Sequence, residues 1–219
     1  MGTHEHGEPR WHRRKEERPA EILDAALEEF TSRGYAAARL EDIARRAGCT
    51  KGTIFLYFAN KEELFKEVVR ANIVPRLEQM ERVVDEHRGP TAELLEKVLR
   101  MRWANINQAH MSGLPKLMFS EAGNFPELAR FFHDELMSRG QNLIARILRL
   151  GVERGEFRQL DTANVALAAI TPSVMAAVYW HSFHHCVTSQ LDPQAFFESS
   201  LNVLLRGIAR EAAPAEGEA

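Results

Sequence analysis

Apolar residues recur at helical spacing along nearly the whole chain, and no segment alternates polar and apolar residues as a half-buried strand does. An all-α fold follows. The first helix is expected over 19–33. Leu23, Leu27 and Phe30 form its stripe, Pro19 sits in its first turn, and Gly34 stops it. Two short helices come next, LEDIARRA ending at Gly48 and a second over 51–57. Asn60 then opens a long helix over 60–87. Asn60 and Glu63 have the spacing of a capping box, and Pro75 predicts a kink. Further helices are expected over 91–110, 113–122 and 124–154, the last capped by Asn124. An uncharged helix starts at Asp161, and a final one starts at Asp192 with Phe197, Leu201, Leu204 and Ile208 as its seam.

Short helices of about eight residues do not hold alone in water. The pair around Gly48 therefore needs a first helix to pack on, with a tight turn fixing the angle between them. That is the helix-turn-helix arrangement, whose second helix enters the DNA major groove. Ile43, Ala44 and Ala47 are the buried contacts of the leading helix, Gly48 and Cys49 form the turn, and TKGT opens the reading helix. Thr50, Lys51 and Thr53 can reach phosphates or base edges, Gly52 leaves room for the DNA backbone, and Tyr57 can place its hydroxyl on a phosphate. Lys61 lies in the first turn of the long helix, where an acid is the favoured residue; a nearby phosphate would account for it. Although the chain carries a net charge of -3, residues 33–61 hold six basic residues against two acids. A local positive field of this kind suits nucleic acid.

The run EILDAALEEFTSRGYAAARLEDIARRAGCTKGTIFLYFANKEELF resembles the DNA-binding region of the TetR/AcrR family of transcriptional regulators. The similarity includes FTSRGY, DIARRAG and KGTIFLYFANKEELF in register. The resemblance implies an all-helical homodimer with three N-terminal DNA-binding helices and a larger C-terminal domain that binds an effector and dimerises. One departure stands out. The family commonly has hydroxyl residues where this chain has Ala38 and Arg39; Arg39 can meet a phosphate by charge but is a poor N-cap. The domain plan expected is a flexible basic arm over 1–17, a DNA-binding domain over 18–64, an effector and dimerisation domain over 65–210 and a disordered tail over 211–219.

In the C-terminal part, Trp103, Asn107, Met118, Phe119, Phe132, Met175 and Tyr179 combine aromatic and Met bulk with polar handles, as small-molecule sites often do. Core packing is the competing account for each of them. Residues 162–191 hold no charged residue, but the most apolar run, 165–180, is only 16 residues long. A membrane span needs about 20, so a partner subunit is the expected cover for this helix, with pairing through the last two helices. His181, His184 and His185 lack carboxylate or thiol neighbours other than Cys186 and read as polar interface residues, with no metal expected. Cys49 in the turn raises a redox switch as a side possibility. No Gly-rich phosphate loop, GxSxG or paired-Cys metal motif is present, so catalysis and cofactors are not expected. Two cysteines and a polar N-terminal segment suit a reducing cytoplasm. The expected function is a repressor released from a palindromic operator by a small apolar or amphipathic effector. Its alternatives are a DNA-binding regulator answering to a protein partner, and a helical enzyme or carrier.

Overall fold

The computed structural model describes residues 10–108, 111, 113–183, 186 and 192–210. Among these, ten α-helices follow in order: α1 Arg10–Arg33, α2 Leu40–Arg46, α3 Lys51–Phe55, α4 Lys61–Glu86, α5 Thr91–Ile106, α6 Leu114–Glu121, α7 Pro126–Phe132, α8 Ser138–Glu153, α9 Thr162–Phe183 and α10 Pro193–Ile208. A π-helical turn, His133–Met137, joins α7 to α8. The chain divides into two compact units, Met1–Asn72 and Ile73–Ala219.

In the first unit α1 packs on α2, and α2 on α3. Ile22, Leu27, Phe30, Ile43, Ile54 and Leu64 are buried there. Phe30, Tyr35 and Phe65 form a cluster with ring centroids 5.1 to 5.7 Å apart. Such contacts add about 0.5–1.5 kcal/mol each beyond area burial. Because Phe65 belongs to this cluster, the first turns of α4 go with the N-terminal unit, and the boundary falls at 72/73 instead of 64/65. Helix α1 begins at Arg10, so Pro19 lies inside it and not in its first turn. Much of the expected arm over 1–17 thus continues the helix; residues 1–9 lie outside the described residues.

In the second unit α8 is the central helix, packed against both α5 and α9, with Leu143, Ile144, Ile147 and Leu148 buried. The helix expected over 124–154 is interrupted. Its N-cap is Phe125, not Asn124, and the π turn divides it. A wider turn slows the rotation of the chain, which lets Phe132, Leu136, Met137, Gly140 and Gln141 all face one cavity. Helix α10 packs on α5 and α9. Trp103 stacks on Phe197 at 4.7 Å, and its indole N–H donates to Gln194 Oε1 at 2.8 Å. Arg100 grips Glu198 with two hydrogen bonds of 2.6 and 2.8 Å.

The loop after α8 is held from both sides. Phe157 packs so closely on Gly151 that a Cβ there would lie 2.1 Å from its ring. The Glu156 carboxylate accepts from Thr91 N at 2.5 Å and Thr91 Oγ1 at 2.9 Å, satisfying the start of α5 from a distance of 65 residues. Asp161 and Asp192 cap α9 and α10 as their positions predict, accepting from Ala163 N and Asn164 N, and from Gln194 N.

Candidate nucleic-acid interface and ligand cavity

Helices α2 and α3 are joined by a turn in which Gly48 has φ +61°, a left-handed conformation that side chains resist. Thr50 caps α3: its hydroxyl accepts from Thr53 N at 3.2 Å and bonds Thr53 Oγ1 at 2.9 Å. Ile54 is the buried anchor, while Thr50, Lys51 and Gly52 are exposed on the other side and Thr53 is half-buried. Lys51 Nζ donates to Glu41 Oε1 at 2.8 Å, and that ammonium holds the Glu41 carboxyl below its ordinary range. Lys51 is thus paired with an acid of its own unit.

The remaining predicted contacts divide. Arg39 is the N-cap residue of α2, makes no side-chain cap and is exposed. Tyr57 is half-buried beside Phe58. Lys61 has a structural occupation: its Nζ donates to Ala36 O at 3.1 Å and lies 4.6 Å from the Tyr35 ring centroid. That explains a cation in the first turn of α4 without any phosphate. Asn60 does cap α4, accepting from Glu63 N at 2.9 Å.

Sequence reading passed over three features of this surface. Phe55 and Leu56 are 47% and 79% exposed, leaving two large apolar side chains beside Lys51 on a face otherwise polar. Glu29 is buried, with Arg33 Nε at 3.0 Å and Arg46 Nη2 at 3.5 Å, so it tethers Arg46 to α1. The Arg18 guanidinium donates to Ala47 O at 3.2 Å, satisfying a carbonyl at the end of α2. Only the apolar pair had a visible signal, an FLYF run too hydrophobic for one short helix to bury. Cys49 is half-buried, and burial pushes its thiol pKa up, away from the thiolate a redox switch needs.

The second unit holds an apolar cavity with about 980 Å³ of empty space, part of it open to solvent, among α4, α5, α6, the π turn, α8 and α9. Of the seven expected lining residues, Phe119 and Phe132 are there. The other five are elsewhere. Trp103 is committed to Phe197. Asn107 ends α5, donating to Trp103 O at 3.0 Å. Met118 is core. Met175 is 49% exposed, and Tyr179 packs on Trp180 and Phe183. Aromatic and Met content does not reveal which face of a helix looks inward. The actual walls come largely from Leu77, Met80, Leu136, Ile170 and Val174, with Arg102 among them.

Helix α9 is long and apolar enough to cross a membrane by length and composition, and only 22% of its most apolar stretch is buried. It packs as one helix of this bundle, against α8. His181 is half-buried on α9; His184 and His185 lie outside the described residues. No group of metal-ligating residues occurs among the described residues.

A small helical unit that exposes a capped reading helix after a glycine turn defines a helix-turn-helix DNA-binding protein. The chain belongs to the TetR family of bacterial regulatory proteins, and that family is one of transcriptional regulators, not enzymes. The family model "Bacterial regulatory proteins, tetR family" matches residues 22–68, and that of the "AefR-like transcriptional repressor, C-terminal domain" matches residues 93–195. The chain is 28% identical over 147 residues to the fatty acid metabolism regulator protein of Bacillus subtilis, covering 66% of this chain and 74% of that protein. It is 26% identical over 195 residues to the transcriptional repressor KstR2 of Mycobacterium tuberculosis, covering 89% and 94%. Among solved structures, the regulator FadR from Bacillus subtilis in complex with stearoyl-CoA superposes with a TM-score of 0.74 at 25% identity, covering 86% of this chain and 98% of that one.

Proposed function

We propose that this protein is a cytoplasmic homodimeric repressor, released from a palindromic operator by a small apolar or amphipathic effector. The observation behind the DNA-binding part is the exposed Thr50-Lys51-Gly52 start of α3, anchored by buried Ile54 and held by the Gly48 turn. Lys51, Thr50, Thr53, Arg39 and Tyr57 are the proposed contacts to DNA. Lys61 is a weaker member of the set, since its ammonium already serves Ala36 O and Tyr35.

Two identical reading heads related by a twofold axis read a palindrome, with successive major grooves roughly 34–36 Å apart. Pairing through α9 and α10 would cover the apolar surface those helices leave open: Met175, Phe183, Phe196 and Val203 are 36% to 72% exposed. The same helix that contributes Leu64 and Phe65 to the N-terminal core contributes Ile73, Arg76, Leu77 and Met80 to the cavity wall. An effector that favours one setting of α4 therefore shifts the heads, provided it binds that setting better than the other. The cavity favours a small molecule over a protein partner as the signal.

The test is the salt dependence of binding to an operator selected from genomic fragments. With about 6–10 phosphates neutralised per dimer, log K against log salt should fall with a slope of about -5 to -9. A flat dependence overturns the assignment.

A further inference from the structure

The cavity wall holds two arginines, Arg76 and Arg102, and no Asp or Glu. Arg76 donates to Gln108 Oε1 at 2.6 Å. Arg102 is different. Its Nε is buried with no hydrogen-bond partner, and it takes part in no ion pair among the described residues. Other arginines of the unit have acid partners: Arg139 holds Glu81 through two bonds of 2.6 Å, Arg100 holds Glu198, and Arg146 holds Asp85. Burial lowers the Arg102 guanidinium pKa to about 10, which still leaves it charged at neutral pH. Even a half-buried cation without a counter-ion is costly to keep. It shares the cavity wall with apolar residues such as Leu77, Met80, Leu136 and Ile170, and the side chain as a whole is half-buried.

We propose that the effector is an amphipathic anion, an alkyl-chain carboxylate, whose head binds the Arg102 guanidinium while its chain lies along the apolar wall. This rests on the reading of the cavity as the effector site. A cation with no partner calls for an anion, and the planar guanidinium suits a carboxylate bidentately. Gly140 lies beside the guanidinium: a Cβ built there would sit 3.9 Å from Arg102 Nη1, an ordinary van der Waals contact.

The experiment compares decanoate, 1-decanol and decanoyl-CoA by displacement of a fluorescent fatty probe from the full chain. The comparison is made in wild type, Arg102→Met and Arg102→Lys. The proposal expects decanoate to bind about 10-fold to 100-fold tighter than the alcohol in wild type, the gain of a charge-assisted pair. Arg102→Met should abolish that preference while melting no lower than wild type, because it removes a half-buried cation that has no counter-ion. Arg102→Lys should keep part of the preference, which guards against a misfolded Met variant. Equal binding of acid and alcohol in wild type overturns the anion inference and leaves the effector cavity standing. So does a preference unchanged in both variants, or decanoyl-CoA displacing the probe better than decanoate. If none of the three displaces it, the effector-cavity reading fails as well.

Discussion

Lys51 and Glu41 form an exposed pair, with side chains 47% and 55% accessible, so their bond contributes little to stability. Its consequence lies in binding. A phosphate that takes Lys51 competes with Glu41, whose carboxylate already holds that ammonium. Lys51→Ala should weaken operator binding by about 10-fold and reduce the salt slope by about 1, with melting unchanged. Glu41→Gln should do the opposite and tighten binding, because it frees the lysine and removes a repulsive carboxylate. Electrophoretic retardation at several salt concentrations measures both. An unaltered affinity in Lys51→Ala would take that residue out of the interface. Leu56 is 79% exposed, and an apolar side chain meeting a thymine methyl reads sequence, so with Leu56 at the interface Leu56→Ser should lower discrimination between sites more than overall affinity.

The elements themselves show what one-dimensional pattern can and cannot reveal. Caps and glycine stops were legible because they are local chemistry: Asn60, Asp161 and Asp192 each bond the amide two or three residues on, and Gly34 and Gly48 take positive φ. The start of α1 at Arg10 was not legible. Pro19 reads locally as a first-turn residue, yet the strongly helix-favouring residues before it carry the helix on. The π turn was equally hidden, since no residue type demands it. The cavity eluded the sequence for a geometric reason: Trp103 and Phe132 have similar bulk, and only the packing of α10 on α5 decides that Trp103 faces Phe197. Gly151 shows the same limit. Nothing marks it locally, but Phe157 occupies the space of its Cβ. Gly151→Ala should therefore cost about 1–3 kcal/mol by overpacking, whereas Gly48→Ala, with open space around it, should cost about 1 kcal/mol from left-handed strain alone. Chemical denaturation of both variants measures the two costs; wild-type stability for Gly151→Ala would contradict the packing described.

At the scale of the whole molecule, Glu41, Glu81, Glu198 and Asp161 all titrate below their ordinary values, the three glutamates chiefly because of Lys51, Arg139 and Arg100, and Asp161 because of the α9 amides and Asn164. The folded chain then binds fewer protons than the unfolded one in the acid range. Their contribution is present above the ordinary values of 4.5 and 3.8, and is lost as pH falls through the lower folded values. Melting temperature should decline below about pH 4.5, and Glu81→Gln should flatten that decline while costing less than about 1 kcal/mol at neutral pH. The larger test concerns assembly. Only 22% of the most apolar stretch of α9 is covered within one chain, and Val203 on α10 is 72% exposed. A face of this kind on an isolated subunit invites association. Light scattering should give a mass twice the 24.9 kDa of the chain. Val203→Glu, which sets like charges against each other across a twofold axis, should yield folded monomers that still melt cooperatively. Those monomers should lose operator affinity by well over about 10-fold, since a single head forfeits the gain from linked binding to both half-sites. Monomeric wild type at micromolar concentration would remove the α9–α10 dimer, whereas monomeric Val203→Glu with undiminished DNA binding would uncouple dimerisation from recognition.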